Sequence, residues 1–521
     1  MTIRPNGLWC VPAPRPPRAR APIIGRVTQR SRRPPGLPAP ALRPAPRWRW
    51  PAAAACAALL AAVAGCTSSP TTPPPTTASS PAASSPGTSP AASSPTVSSP
   101  ATTAQAADWP TYDRTADRSG VSVSTPAPGP VRPSWTASVD GPVYAQPLVV
   151  GAEVIVATEN DSVYALSASG GSVLWTRHLA APVPSGLPCG NISPSGITGT
   201  PVADPATGQL WLVTFTAQPA YQHTLWDLDL ATGRTVWQRS IDVSGSDPQA
   251  QQQRGALALL GSRVYVPLGG LYGDCSDYKG RVVGVLLDGT GSPVEFQPSV
   301  NRQGGIWNPA GPTVDAAGHM YVVSANGSTF PGAAYDHTNS VLEVSSSGKL
   351  LSSFVPADWA QNNEGDVGLG SQGVALVGTR WAVLGGKSGP VYVLRQGDLG
   401  GIGGQVSVTN VCLSFGGSTV DGDVVYLPCT DGVRAVRVDS AGQLHVLWHA
   451  SGQIAGSPVV GGGRVWALDQ YGGVLHALNP ANGQSIEAVS VGVTSRFATP
   501  ALYGSLVLVP TVAGVTFVQA S

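Results

Sequence analysis

The 521-residue chain is short of charge, with Asp, Glu, Lys and Arg making up 11% of it and only three lysines, Lys279, Lys349 and Lys387. That charge is unevenly placed. Residues 1–65 hold eleven arginines and no acid, so the remainder carries 19 basic against 29 acidic residues, a net charge of −10. An acidic domain without basic runs argues against nucleic acid or anionic lipid headgroups as partners. The apolar run Pro51–Val63 is thirteen residues of mostly alanine, too short for a bilayer core of ~30 Å that needs ~20. There is no Cys-x-x-Cys for zinc and no Cys-x-x-Cys-His for attached haem. "GGKSG" has Trp381 where a phosphate loop needs its first glycine, Gly-x-Ser-x-Gly does not occur, and His445 and His449 of "HVLWH" lack a zinc helix's glutamate. What the chain does have is 63 glycines and 50 prolines, the composition of a turn-rich β protein.

Residues 1–65 read as an export signal with a long basic n-region: arginines at 43, 47 and 49, then the short apolar run, then Val63-Ala64-Gly65-Cys66. Small residues ahead of Cys66 resemble the lipobox of bacterial lipoproteins. That resemblance implies cleavage before Cys66 and a diacylglyceryl group on its thiol, whose two chains hold a protein at a membrane where one would not. The plainer alternative is an ordinary secretory signal with a chance cysteine. Residues 66–107 follow the lipidated cysteine with Ser, Thr, Pro, Ala and Gly almost alone. Such a segment buries too little apolar surface to offset ordering entropy and is expected to be a disordered tether.

From residue 143 one pattern recurs: a Pro- or Gly-marked strand start, a glycine turn, a β-branched strand, another Gly or Asp turn, a third strand, then a glycine and often tryptophan. The first copy runs from Gln146 to Trp175 and the second closes at Trp237. Further copies open near Gly255, Gly311, Ser371, Gly416, Gly456 and Ala498. Repeats of this length, each supplying three or four short strands apolar on both faces, predict an all-β chain: one eight-bladed propeller of four-stranded antiparallel blades over 108–521. The last copy stops one strand short, while "VRPSWTASVD", 131–140, stands unpaired before the first. That segment is expected to complete the last blade and close the ring.

The element "ALSASGGSVLW", repeated as "DLDLATGRTVW" and, with Glu487 in place of Trp, as "ALNPANGQSIE", resembles the tryptophan-docking repeat of pyrroloquinoline-quinone (PQQ) propellers. "ADWPTYDRTADRSG" resembles that family's N-terminal lead-in. The resemblance implies that Trp175, Trp237 and Trp448 are structural, wedged between blades. It identifies an architecture shared by dehydrogenases, assembly scaffolds and binding proteins rather than one activity.

Cys10 and Cys56 fall in the signal and Cys66 at the lipid site, leaving Cys189, Cys275, Cys412 and Cys429. An even number in an exported chain predicts two disulfides. Of three pairings, Cys412 with Cys429 and Cys189 with Cys275 are preferred: the first pair flanks the start and second strand of one blade, and the second pair sits in long loops.

In the quinone-dependent members of the resembled family, calcium bound by carboxylate and amide oxygens polarises the quinone, an aspartate takes the alcohol proton and a basic residue contacts the quinone oxygens. The resemblance maps the amide ligand to Asn326 of "YVVSANGSTF", the basic residue to Lys387 of "GGKSGPVYVLRQ", and the base to Asp358 or, preferably, Asp366 of "PADWAQNNEGDVGLGS". "GDCSDYKGRVVGV" occupies the place of the family's glutamate ligand with only Asp274 or Asp277 to offer. The chain departs from the family in lacking that glutamate and a vicinal cysteine pair, and no aromatic partner for the quinone face stands out. The plain alternatives are a left-handed turn at Asn326 and a solvated loop lysine at Lys387.

The reading is a cell-surface lipoprotein propeller on the extracytoplasmic face of the membrane, a monomer acting as a ligand-binding or protein-interaction scaffold without a demonstrable catalytic set. The second reading is a membrane-tethered quinoprotein dehydrogenase of alcohols or sugars, using PQQ and calcium. The third is a polysaccharide-binding module using exposed aromatics such as Trp307 and Tyr335.

Overall fold

Glycine turns in the left-handed region, such as Gly171, Gly233 and Gly483, cut the chain into strands of two to eight residues rich in valine and leucine. The computed structural model describes residues 108–520 except Pro126 and Pro128. The export signal, Cys66 and the tether lie outside the described residues. Eight sheets follow one another along the chain. Blades 1 to 7 span 148–178, 202–240, 258–296, 313–355, 375–410, 419–449 and 459–490, and blade 8 begins at 501. Within each blade the strands run antiparallel from the innermost outward.

Blade 8 takes its outer strand from the other end of the domain. Val131–Ser138 pairs antiparallel with Gly514–Ala520, from Val131 opposite Ala520 to Ser138 opposite Gly514. The strand expected to close the ring does so, and Trp135 stacks on Phe517 with centroids 3.3 Å apart.

The apolar core lies between blades, because the inner strands of each blade are buried on both faces while the outermost are largely exposed. One cluster joins Ile155 and Ala165 of blade 1 to Leu210 and Leu228 of blade 2, and another joins Val425 and Val436 of blade 6 to Val383 and Val393 of blade 5. The docking tryptophans cap these seams. A methyl on Gly233 would lie 2.5 Å from Trp175, one on Gly289 2.6 Å from Trp237, one on Gly483 2.4 Å from Trp448, and one on Gly171 1.9 Å from Trp135. Each glycine also has φ between +65° and +73°, so no other residue suits it. The indole N–H groups of Trp175, Trp237 and Trp448 donate to carbonyls of the next blade at 2.8–3.0 Å. In blade 7, where Glu487 replaces the tryptophan, the carboxylate accepts from the Val131 N–H at 2.6 Å.

The lead-in threads the ring of innermost strands. Trp109 pairs with Val149 of blade 1, and the Pro110 carbonyl accepts from Ala203 of blade 2. The Ala116 carbonyl accepts from Val314 of blade 4, and that of Ser119 from Val420 of blade 6. Val121–Ser122 then runs parallel to Val460 and Gly461 of blade 7. The buried Arg118 donates to the carbonyls of Leu257 and Pro312. Both disulfides form as expected, Cys189–Cys275 and Cys412–Cys429. One element was unexpected: a short helix, Trp359–Gly365, between blades 4 and 5.

Candidate functional site: an axial funnel

In an antiparallel blade the connections between second and third strands, and those leading to the next blade, emerge on the same face. On that face they surround a cavity of about 580 Å³. The turns within blades 3, 4 and 5 bring Asp274, Asn326 and Lys387, and the helix after blade 4 ends at Asp366. Four residues mapped from the sequence, 113 positions apart at the extremes, therefore line one cavity.

Lys387 is not a solvated loop lysine. Its Nζ donates to Asp366 Oδ1 at 2.6 Å and stands 5.9 Å from the centroid of the Trp307 ring. Asp366 caps the helix in the left-handed region at φ +50°, a conformation aspartate adopts more readily than most residues. Asn326 is not a left-handed turn residue, since it is absent from the positive-φ positions. It faces the cavity, and its backbone carbonyl accepts from Gly304. Asp274 accepts from the Tyr278 hydroxyl at 2.5 Å. Burial raises its carboxyl above the usual range, opposed by the Tyr278 hydrogen bond, and the Asp366 charge adds to the rise. The Cys189–Cys275 bridge ties Asp274 to the loop carrying Asn191, another lining residue. Of the alternatives weighed for the base and the carboxylate ligand, Asp358 and Asp277 do not line the funnel.

The rest of the lining comes from connections between blades, which carry no strand pattern to mark them. Trp307 precedes blade 4, Arg254 precedes blade 3, Phe415 lies between blades 5 and 6, and Arg496 and Phe497 between blades 7 and 8. The guanidinium groups of Arg254 and Arg496 sit 4.7 and 4.8 Å from the centroid of Phe497, and Arg496 also lies 5.1 Å from that of Phe415. Phe497 holds φ at +70°, a conformation costing a bulky residue about 1–2 kcal/mol. Burial draws Arg254 down to about 10, against the pull of Tyr144 and Glu159. Beneath it Glu159 accepts from Gly196 N and Thr198 Oγ1, and burial raises its carboxyl to about 7.

The expected exposed aromatics are placed otherwise. Trp307 is half-buried in the funnel, and Tyr335 is half-buried against Trp359, with its hydroxyl on Ser340. Large exposed aromatic side chains include Tyr272, Phe330 and Tyr471. Chemically, the funnel presents three cations, four aromatic rings and two carboxylates beside the amides of Asn191, Gln252 and Asn326. That set suits a planar anion, with hard-cation donors at one side.

Residues 121–266 match the family described as outer membrane protein assembly factor BamB. No curated protein sequence matches the chain. Among solved structures, the chain is similar to quinohemoprotein alcohol dehydrogenase from Comamonas testosteroni, at 15% identity and a TM-score of 0.61 over 79% of this chain and 80% of that one. It is similar to a europium-containing methanol dehydrogenase, at 13% and 0.59 over 80% and 98%. It is also similar to BamB from Moraxella catarrhalis, at 16% and 0.50 over 75% and 98%. At such identities the likeness is one of fold. The family match covers residues 121–266, little more than a quarter of the chain, and the likeness over some four fifths of it is that of an eight-bladed β-propeller.

Proposed function

We propose that the chain is an extracytoplasmic, lipid-anchored binding propeller whose axial funnel takes a planar, anionic small molecule. The observation that carries this reading is the convergence of Lys387, Arg254 and Arg496 with Trp307, Phe415 and Phe497 around one cavity. Guanidinium and ammonium groups stacked on aromatic faces favour a flat ligand bearing carboxylates, because the same cations reach the ligand's edge while the rings cover its face. A volume of about 580 Å³ suits a ligand of the size of a small fused-ring system.

A second reading, a quinoprotein dehydrogenase, is favoured by the meeting of Asn326, Asp366, Lys387 and Asp274 in that cavity. PQQ is a planar tricarboxylate, so the cationic and aromatic lining fits it. Calcium fits too: Asp274 and Asp366 are close enough for one charge to oppose the other, a repulsion that a hard cation relieves. In this reading Asn326 and Asp274 would hold the ion, Lys387 would bind the quinone's edge and Asp366 would accept the proton of the alcohol hydroxyl. The bound quinone supplies the two-electron acceptor.

Calorimetry of the purified chain against PQQ, with and without calcium, tests both. Saturable binding of one equivalent without dye-linked alcohol or sugar oxidation supports the binding propeller. Binding with calcium-dependent oxidation supports the dehydrogenase. No binding of PQQ contradicts both.

A further inference from the structure

We propose that Asp315, His319 and Glu343 of blade 4 form a second site, for a divalent transition-metal ion of the zinc class. It lies on the opposite side of blade 4 from the funnel. His319 opens the strand His319–Val323, while Asn326 follows that strand's far end, seven residues or about 23 Å of extended chain away.

The local fold builds the site. Asp315 Oδ1 accepts from the N–H groups of Ala317 and His319, at 2.9 and 2.8 Å, which turns Oδ2 towards the imidazole and the Tyr321 hydroxyl. Glu343 projects from the neighbouring strand, Val341–Ser345, where it is paired opposite Tyr321. His319 Nδ1 lies 2.8 Å from Glu343 Oε1 and 3.8 Å from Asp315 Oδ2, and one ligand atom from each residue lies within 4.8 Å of the others. Atoms sharing a tetrahedral ion with bonds of about 2.05 Å stand about 3.3 Å apart, so the two measured separations bracket the required edge.

A second observation points to a missing ligand. Glu343 is 1% exposed, yet its Oε2 has no hydrogen-bond partner. The two nearby donors are committed: the imidazole shares its Nδ1 with Glu343 Oε1, and the Tyr321 hydroxyl donates to Asp315 Oδ2. A buried carboxylate oxygen left bare costs about 1–3 kcal/mol, and a bound cation satisfies it. His319 is 35% exposed, which gives the ion an entry path and leaves a coordination position for water. Two carboxylates and one imidazole are a donor set that zinc and its neighbours accept.

The test uses the untagged full-length protein, stripped with a chelator and titrated with zinc chloride. One zinc per chain should bind at micromolar concentration or below and raise Tm by about 3–5 °C at a hundredfold excess over Kd. His319→Gln and Glu343→Gln should each weaken binding at least tenfold, while Asn326→Ala, in the funnel, leaves it unchanged. Should a variant not fold, mass spectrometry of the native protein after diethyl pyrocarbonate treatment decides: zinc should protect His319 and leave the exposed His445 reactive. No zinc uptake, equal binding by His319→Gln, loss of binding in Asn326→Ala, or unprotected His319 would each overturn the site.

Discussion

At the scale of single residues, the funnel was half legible. Asn326, Asp366, Lys387 and Asp274 sit in or beside turns whose sequences resemble known segments, and the fold brings all four to one cavity. Arg254, Phe497, Arg496 and Trp307 carry no such mark, because their adjacency is created by ring closure. Arg254 donates to the Arg496 carbonyl across 242 positions of sequence, a distance no local pattern spans. Glu159, beneath Arg254, offers a test of this electrostatics. Its folded carboxyl is raised to about 7, above the ordinary glutamate value, by burial. The unfolded chain therefore loses this proton first, and the contribution of Glu159 falls as pH rises between about 4.5 and 7. The loss reaches about 3 kcal/mol once both states are ionised. In Glu159→Gln the amide oxygen still accepts from Gly196 and Thr198 while the ionisation is gone. Urea unfolding should show the variant gaining on the native protein from pH 5 to pH 8. Parallel stability curves across that range would contradict the assignment.

Among elements, the strand rhythm and the docking motif could be read directly, since glycine turns at regular spacing between short apolar, β-branched runs leave a periodic trace. The helix Trp359–Gly365 could not. "WAQNNEG" has no apolar repeat, and it forms because Trp359 and Ala360 pack beneath Val355 and Tyr335. The seam tryptophans make a quantitative claim. Trp135 stacks on Phe517 and closes over Gly171, so Trp135→Ala should cost about 3–5 kcal/mol. Deleting residues 108–140 should cost more still, because it strips Gly514–Ala520 of its partner and exposes an edge that pairs with other chains. Thermal melts and light scattering, with deletion of residues 70–102 as the length-matched control, measure both. Equal melting temperatures for the two deletions would show that the closing strand adds no stability.

For the whole molecule, one ring carries a site on its axis, and the lead-in that crosses the innermost strands holds the blades beneath it. The proposed anchor, Cys66, precedes the ring in the sequence. Replacing Cys66 with serine should move the protein from the membrane fraction to the medium, and mass spectrometry of the native form should find a diacylglyceryl adduct. Retention of the serine variant would contradict the anchor. The central claim concerns the funnel, whose cations and rings are gathered from six inter-blade or intra-blade connections into one cavity, which we propose accepts an anion. Calorimetric titration of PQQ into the native protein, Trp307→Ala and Lys387→Ala tests it most directly. The account predicts one saturable site in the native protein, weakened at least tenfold in each variant; absence of binding, or binding that neither substitution changes, would contradict it.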